Sequence, residues 1–150
     1  MHIVAFARFF IGSPLAARRD RDMLEEDFAG VSWQEVGGLE TLGRLGSQAE
    51  FAEHKLSSKG LDRTNFNRVA RRATIFSTDF EIFPGDPGQA AVWAASAALG
   101  DFAWRVLFPN DTGERLFTGQ VGDLFETFGA ADAQPRLALS VMVNSNVVRV

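Results

Sequence analysis

Apolar and polar positions alternate along much of this chain with the two-residue period of half-buried strands. Residues 3–11 form an apolar run that suits a strand or a docking arm. Val31-Ser-Trp-Gln-Glu-Val36 alternates cleanly and ends at Gly37-Gly38. Residues 39–45, with glycines at 37, 38, 43 and 46 in and around them, read as turns and bends. Residues 47–55 read as a further strand, Ser57-Ser-Lys-Gly60 as a turn, and residues 61–67 as an extended polar loop. Strand character returns over residues 73–83, where Thr74, Phe76, Thr78, Phe80 and Ile82 share one face. Phe102, Trp104, Val106 and Phe108 then alternate with Ala103, Arg105 and Leu107, before a turn at Pro109-Asn-Asp-Thr-Gly113. Residues 115–128 continue the sheet, with Gly119 and Gly122 as bulge positions. After a loop at 130–135, Leu137, Leu139, Val141 and Val143 alternate with Ala138, Ser140, Met142 and Asn144 in a last strand.

One segment departs from this period. Asp86 suits an N-cap, Pro87 the first helical position and Gln89 the third residue after the cap, while Gly100 stops the helix after Leu99. The predicted helix, residues 87–99, has only Gln89 and Ser96 as polar side chains, whereas a surface helix shows a polar stripe. Trp93, Ala94 and Ala97 are therefore expected to contact a second copy of the chain; complete burial within one chain, or an exposed alanine-rich face, explains the same pattern. The sum is a mainly β fold, a sandwich or open barrel of about seven strands with one flanking helix. It is expected to form one domain over residues 1–150, with residues 1–30 as an N-terminal arm.

Composition sharpens this picture in two ways. Phenylalanine supplies 14 aromatic residues and tryptophan 3, with no tyrosine, which suits dry cores and dry contacts between subunits. There is no cysteine, so disulfides, thiol catalysis and Cys-ligated metals are excluded. The apolar start is interrupted by Arg8 and followed, not preceded, by charge, so it reads as a strand and not as a signal peptide. No apolar stretch approaches the roughly 20 residues of a membrane span.

The net charge of -4 conceals segregation. Residues 20–53 carry nine acids against Arg21 and Arg44; residues 54–72 carry six bases against Asp62; residues 101–132 carry six acids against Arg105 and Arg115. Opposite blocks of this kind can face each other or a neighbouring copy. Residues 13–30 are charged, and residues 22–28 suit either a short helical piece or a surface loop.

Catalytic chemistry is not written in the chain. The histidines, His2 and His54, have no nucleophile signature beside them and no i, i+4 spacing for zinc. The carboxylates of Asp20, Asp22, Glu25, Glu26 and Asp27 lack the spacing and central glycine of a calcium loop. The glycines at 37, 38, 43 and 46 are followed by no Gly-Lys-Ser/Thr. The basic run with Phe66, Asn65 and Asn67 is compatible with single-strand binding, but contact with an acidic patch on another subunit explains it better in an acidic protein. The expectation is a protein that is not an enzyme and needs no cofactor or metal.

The linear order of features from about Val31 resembles the major tail tube proteins of siphophages, and lambda-like phages in particular. It runs through Val36-Gly-Gly-Leu-Glu-Thr-Leu-Gly43, the loop with Lys59-Gly-Leu-Asp62, and the strand into Phe83-Pro-Gly-Asp-Pro-Gly-Gln89. The helix, Phe102-Ala-Trp-Arg-Val-Leu-Phe-Pro-Asn110 and Arg115-Leu-Phe-Thr-Gly-Gln-Val121 follow. The resemblance covers roughly residues 31–146 and, loosely, 9–12. It implies a β-sandwich flanked by a helix, related to the ring protein of type VI secretion. It implies rings of six copies stacked into a hollow tube in the virion tail, with inner sheets joined round a lumen. The implied partners are further copies of the chain, tape-measure, tail-tip and tail terminator proteins, and passing double-stranded DNA without sequence-specific binding or membrane insertion. A gene transfer agent would use the same part, and a tail terminator, connector or secretion-tube ring protein is the alternative.

Carried onto this chain, the family's inter-ring loop falls at residues 53–71, with Lys55, Lys59, Asp62, Arg63, Phe66, Arg68 and Arg71 as candidate stacking residues. The charged arm, longer than the short turn expected there, offers Arg18, Asp20, Asp22, Glu25 and Glu26 for the other ring face. A basic loop meeting an acidic segment is self-complementary head to tail and propagates. A lumen that lets DNA slide should be polar or acidic, because each bound phosphate adds affinity, so Asp123, Glu126, Thr127 and the outward residues of the last strand are its candidates.

Overall fold

The computed structural model describes residues 6–56 and 63–150. Along them run β1 (Arg8–Pro14), β2 (Trp33–Glu35), β3 (Leu39–Leu42), β4 (Ser47–Leu56), β5 (Arg63–Ala73) and β6 (Ile75–Glu81). The helix α1 (Pro87–Ala97) is followed by β7 (Phe102–Leu107), β8 (Glu114–Thr127), β9 (Arg136–Val143) and β10 (Val148–Arg149). Eight strands form one sheet in the order β2-β1-β7-β8-β9-β6-β3, with β10 beside β8, while β4 and β5 pair with each other as a separate hairpin. The expected fold class, mainly β with one flanking helix, is the observed one.

The sheet is strongly curled. Strands β1 and β6 stand four places apart in it, a separation of roughly 19 Å if it were flat. Yet the ring of Phe9 on β1 lies 5.9 Å from that of Phe76 and 5.8 Å from that of Phe80 on β6. Phe9 also stacks on Trp104 at 5.6 Å, and Phe76 meets Phe117 edge-on at 5.6 Å. All five rings are buried, at about 2–3 kcal/mol for each phenylalanine removed from water. The Phe-rich composition thus fills the inside of the curl. Trp104 and Thr78, polar groups among these rings, are satisfied: Trp104 Nε1 donates to the Gly119 carbonyl at 3.0 Å, and Thr78 Oγ1 to the Thr41 carbonyl at 2.7 Å.

The two ends of the sheet, β2 and β3, are joined by residues 36–38, and the N-terminus of α1 seals that seam. Asp86 accepts from Gln89 N at 2.9 Å as an N-cap and from Gly37 N at 3.1 Å. The Gln89 amide accepts from Phe83 N and donates to the carbonyls of Gly37 and Glu81. Gly88 sits so close that a Cβ would lie 2.0 Å from the Glu35 carbonyl oxygen. The motif read as turn and cap chemistry therefore also fixes the link between the two ends of the sheet.

Four local expectations are corrected. Residues 39–42 are a strand, because their carbonyls and amides find β6 as a partner. Residues 63–67 belong to β5 and not to a polar loop, because β4 pairs with them. The helix ends at Ala97, since Ala98 is already extended, which leaves Leu99 outside it. Gly119 is not a bulge: it pairs in register with Phe102, and a Cβ there would approach the Met142 carbonyl to 2.4 Å. The register shift falls between Val121 and Leu124, around Gly122.

Strand β7 is covered on both faces. Ala103 and Leu116 on the outer face pack with Met23, Phe28 and Val148. The charged arm is thus pinned to the sheet by two apolar residues that its charges obscure in the sequence, and its helical piece is a short 3-10 turn, Glu25–Phe28.

Candidate assembly surfaces

The hairpin β4–β5 projects from the sheet. Its cross-strand register places Ser47, Ala49, Phe51, Glu53 with Arg71, Arg68 and Phe66 on one face, and Glu50 with Arg72 and Ala70 on the other. Phe51, Phe66 and Val69 are 57%, 60% and 64% exposed. Glu50 pairs with Arg72 at 2.7 Å, and Arg71 donates to Ser47 Oγ. Of the candidate stacking residues, Phe66, Arg68 and Arg71 are exposed on this hairpin, and Lys55 and Arg63 lie in its strands. Lys59 and Asp62, like His2, lie outside the described residues.

The arm is more self-contained than its charge suggests. Arg18 holds Asp20 at 2.9 Å and Arg21 holds Asp27 at 2.8 Å. The hydrogen bond from Arg18 lowers the Asp20 carboxyl to about 2, and the one from Arg21 does the same for Asp27. Asp22, Glu25 and Glu26 are exposed and in no ion pair among the described residues. Asn146 clamps the arm by accepting from Met23 N at 2.7 Å and donating to the Met23 carbonyl at 3.1 Å. The arm and the root of the hairpin line the same groove, which brings Arg18, Arg21 and Asp22 together with Arg71, Arg72 and Arg149. Sequence reasoning missed Arg149, which no local signal links to the basic run.

Helix α1 buries Gly88, Gln89, Val92 and Ala95. Ala90, Trp93, Ala94 and Ala97 form an exposed outward stripe, with Trp93 41% exposed. Beside it, residues 120–127 of β8 pair with β9 on one edge and with no strand on the other among the described residues. Strand β3 is the other open edge. Between these edges, β8, β9, β6 and β3 present an outer face bearing Thr41, Ser77, Asp79, Thr127, Ala138, Ser140 and Met142. Arg136 on this face is paired with Glu40 at 2.9 Å. Thr127 lies on this face, whereas Glu126 pairs with Leu137 and points to the opposite one, and Asp123 sits in the register shift. The three lumen candidates therefore do not share a face.

No protein-family model matches the chain, and no curated protein matches it in sequence. Solved structures match it in fold. A chain of the anti-feeding prophage (AFP) baseplate, a cryo-EM structure symmetrised six-fold, superposes with a TM-score of 0.67 at 6% identity, over 97% of this chain and 92% of that one. The SPP1 tail tube protein superposes with a TM-score of 0.61 at 11% identity, over 96% and 76%. A type six secretion system protein reaches 0.50 at 11% identity, over 93% and 80%. The chain has the fold seen in a phage tail tube.

Proposed function

We propose that this chain is the structural subunit of a phage tail tube, or of the tube of a gene transfer agent or related device. In this reading six copies form a ring, rings stack around a lumen, and double-stranded DNA passes through without being read. Tape-measure, tail-tip and terminator proteins are its partners, and the virion tail is its place. The fold shared with the SPP1 tail tube and the AFP baseplate chain supports the reading.

The observation on this chain that carries it is the projecting hairpin. A two-stranded hairpin is marginally stable in water by itself. This one exposes two phenylalanines and a valine among arginines, with no third strand among the described residues. A neighbouring copy completes such an element. Laterally, the open edges of β8 and β3 let the four-strand face continue from copy to copy, with the Trp93 stripe against the joint. The continued face carries hydroxyls, the Asp79 carboxylate, a neutralised Arg136 and the exposed apolar Ile75, Phe125 and Met142, a surface with no unpaired cation to hold a phosphate among the described residues.

Negative-stain electron microscopy of the purified chain, at low and high concentration, tests this. Hollow tubes support it, and excision of residues 48–72 should then leave rings that do not stack. A compact monomer at every concentration, even with tail-tip partners added, sinks it. The likeness to the type six secretion protein favours a secretion-tube ring as second reading. A tail terminator would instead stop at one ring, so open-ended tubes exclude it.

A further inference from the structure

The strand register gives the subunit two chemically different ends. Met142 pairs with Ile75, Val143 with Gly119 and Leu42 with Thr78, so the hairpin roots at one end of the β8, β9, β6, β3 face. Arg136 pairs with Glu81 and Thr127, and Leu39 with Phe80, at the other end. At the hairpin end, the groove of about 800 Å³ is lined by Arg18, Arg21, Arg71, Arg72 and Arg149 against one acid, Asp22. Arg18, Arg21 and Arg72 already hold carboxylates of their own chain. Arg71 and Arg149 have no carboxylate partner among the described residues. Ile75 and Met142, also in this groove, are 54% and 45% exposed.

The far end is built for the opposite chemistry. The connection from β8 to β9 folds as a tight turn, with Gly129 at φ 62° and Ala133 N donating to the Ala130 carbonyl at 2.9 Å. Small residues flank Asp132 at its tip, Glu126 stands at its base, and Phe128 is 64% exposed.

Resting on the tube reading, we propose that the arginine groove of one copy receives the β8–β9 turn of a second copy stacked head to tail. Asp132 and Glu126 meet Arg71 and Arg149, and Phe128 covers Ile75 and Met142. The contact joins different surfaces at opposite ends of the subunit, so it repeats without closing. The arm shares this groove through Arg18, Arg21 and Asp22, so it stands at the same end of the subunit as the basic hairpin root.

The absence of cysteine makes a cross-linking test clean. Ala133→Cys with Asn144→Cys keeps every charge and places one thiol on the turn and one in the groove. Oxidation should give an open ladder extending beyond six chains; Ala133→Cys paired with Glu25→Cys should not. Separately, Asp132→Arg with Glu126→Arg should raise the concentration needed for tubes about tenfold or more, and adding Arg71→Glu with Arg149→Glu in the same chain should restore it. Normal tubes without the ladder, or charge reversal without effect on tubes, would overturn the groove assignment and leave the tube reading standing. No tubes from the parent chain, together with no ladder from the double-cysteine variant, would overturn both.

Discussion

Gln89 shows how one side chain can hold a seam. Its amide ties the chain before α1 to the end of β6 and to the link between β2 and β3, and Gly88 beside it leaves no room for a Cβ. Gly88→Ala is expected to cost about 1–3 kcal/mol through forced backbone displacement, read as a lower Tm. Gln89→Leu leaves three backbone groups unpaired and is expected to cost about 2 kcal/mol or more by urea denaturation. The helix start was legible in the sequence because capping is local chemistry; its second job at the seam was not, because residues 35–38 reach it only through the fold. The arm gives a pH prediction. Asp20 and Asp27 titrate near 2 in the folded chain against an ordinary 3.8, so the unfolded arm binds more protons between these values. Their contribution is present above about pH 4 and is lost as pH falls toward 2. Phe28 stacks on Trp33 at 6.5 Å, so undocking of the arm should appear as a change in Trp fluorescence over that window.

At the scale of elements, the helix and the hairpin are over-exposed for a finished protein. Trp93→Asp should lower the Tm of the monomer without unfolding it, since 41% of the side chain is already exposed, while abolishing rings in electron micrographs. The helix was readable from its cap and its missing polar stripe, and the structure exposes the stripe the sequence singled out. Strand β5 was misread for a physical reason. Strand patterns assume a pleated surface with one buried face, and β5 has none, so charge and asparagine mask it. Strand β3 was hidden behind its glycines, since only pairing with β6 makes it a strand.

At the scale of the molecule, charge follows the two ends and not the linear blocks. Assembly through arginine and carboxylate contacts should weaken with salt. Raising ionic strength from about 0.05 to 0.5 M is expected to shift tube formation to higher concentration by light scattering, as the Debye length shrinks several-fold. The Tm of the isolated fold, set by its buried rings, should scarcely move. An unchanged or stronger tendency to assemble in salt would mean that apolar contacts dominate the stack.

By itself the sequence determined what is local or periodic: strands with one buried face, the helix with its cap and a Phe-rich core. The exposed stripe of α1 was within its reach, because a helix without a polar face breaks an otherwise regular pattern. Only the tertiary structure decided where opposite charges stand. The curl brings the arm, the hairpin root and Arg149 into one groove, across a chain separation of more than a hundred residues. Register then puts Asp132 at the far end and turns Glu126 away from Thr127. Sequence pattern reports which side chains want burial or water; it does not report which strands become neighbours, and that pairing sets both ends of the subunit.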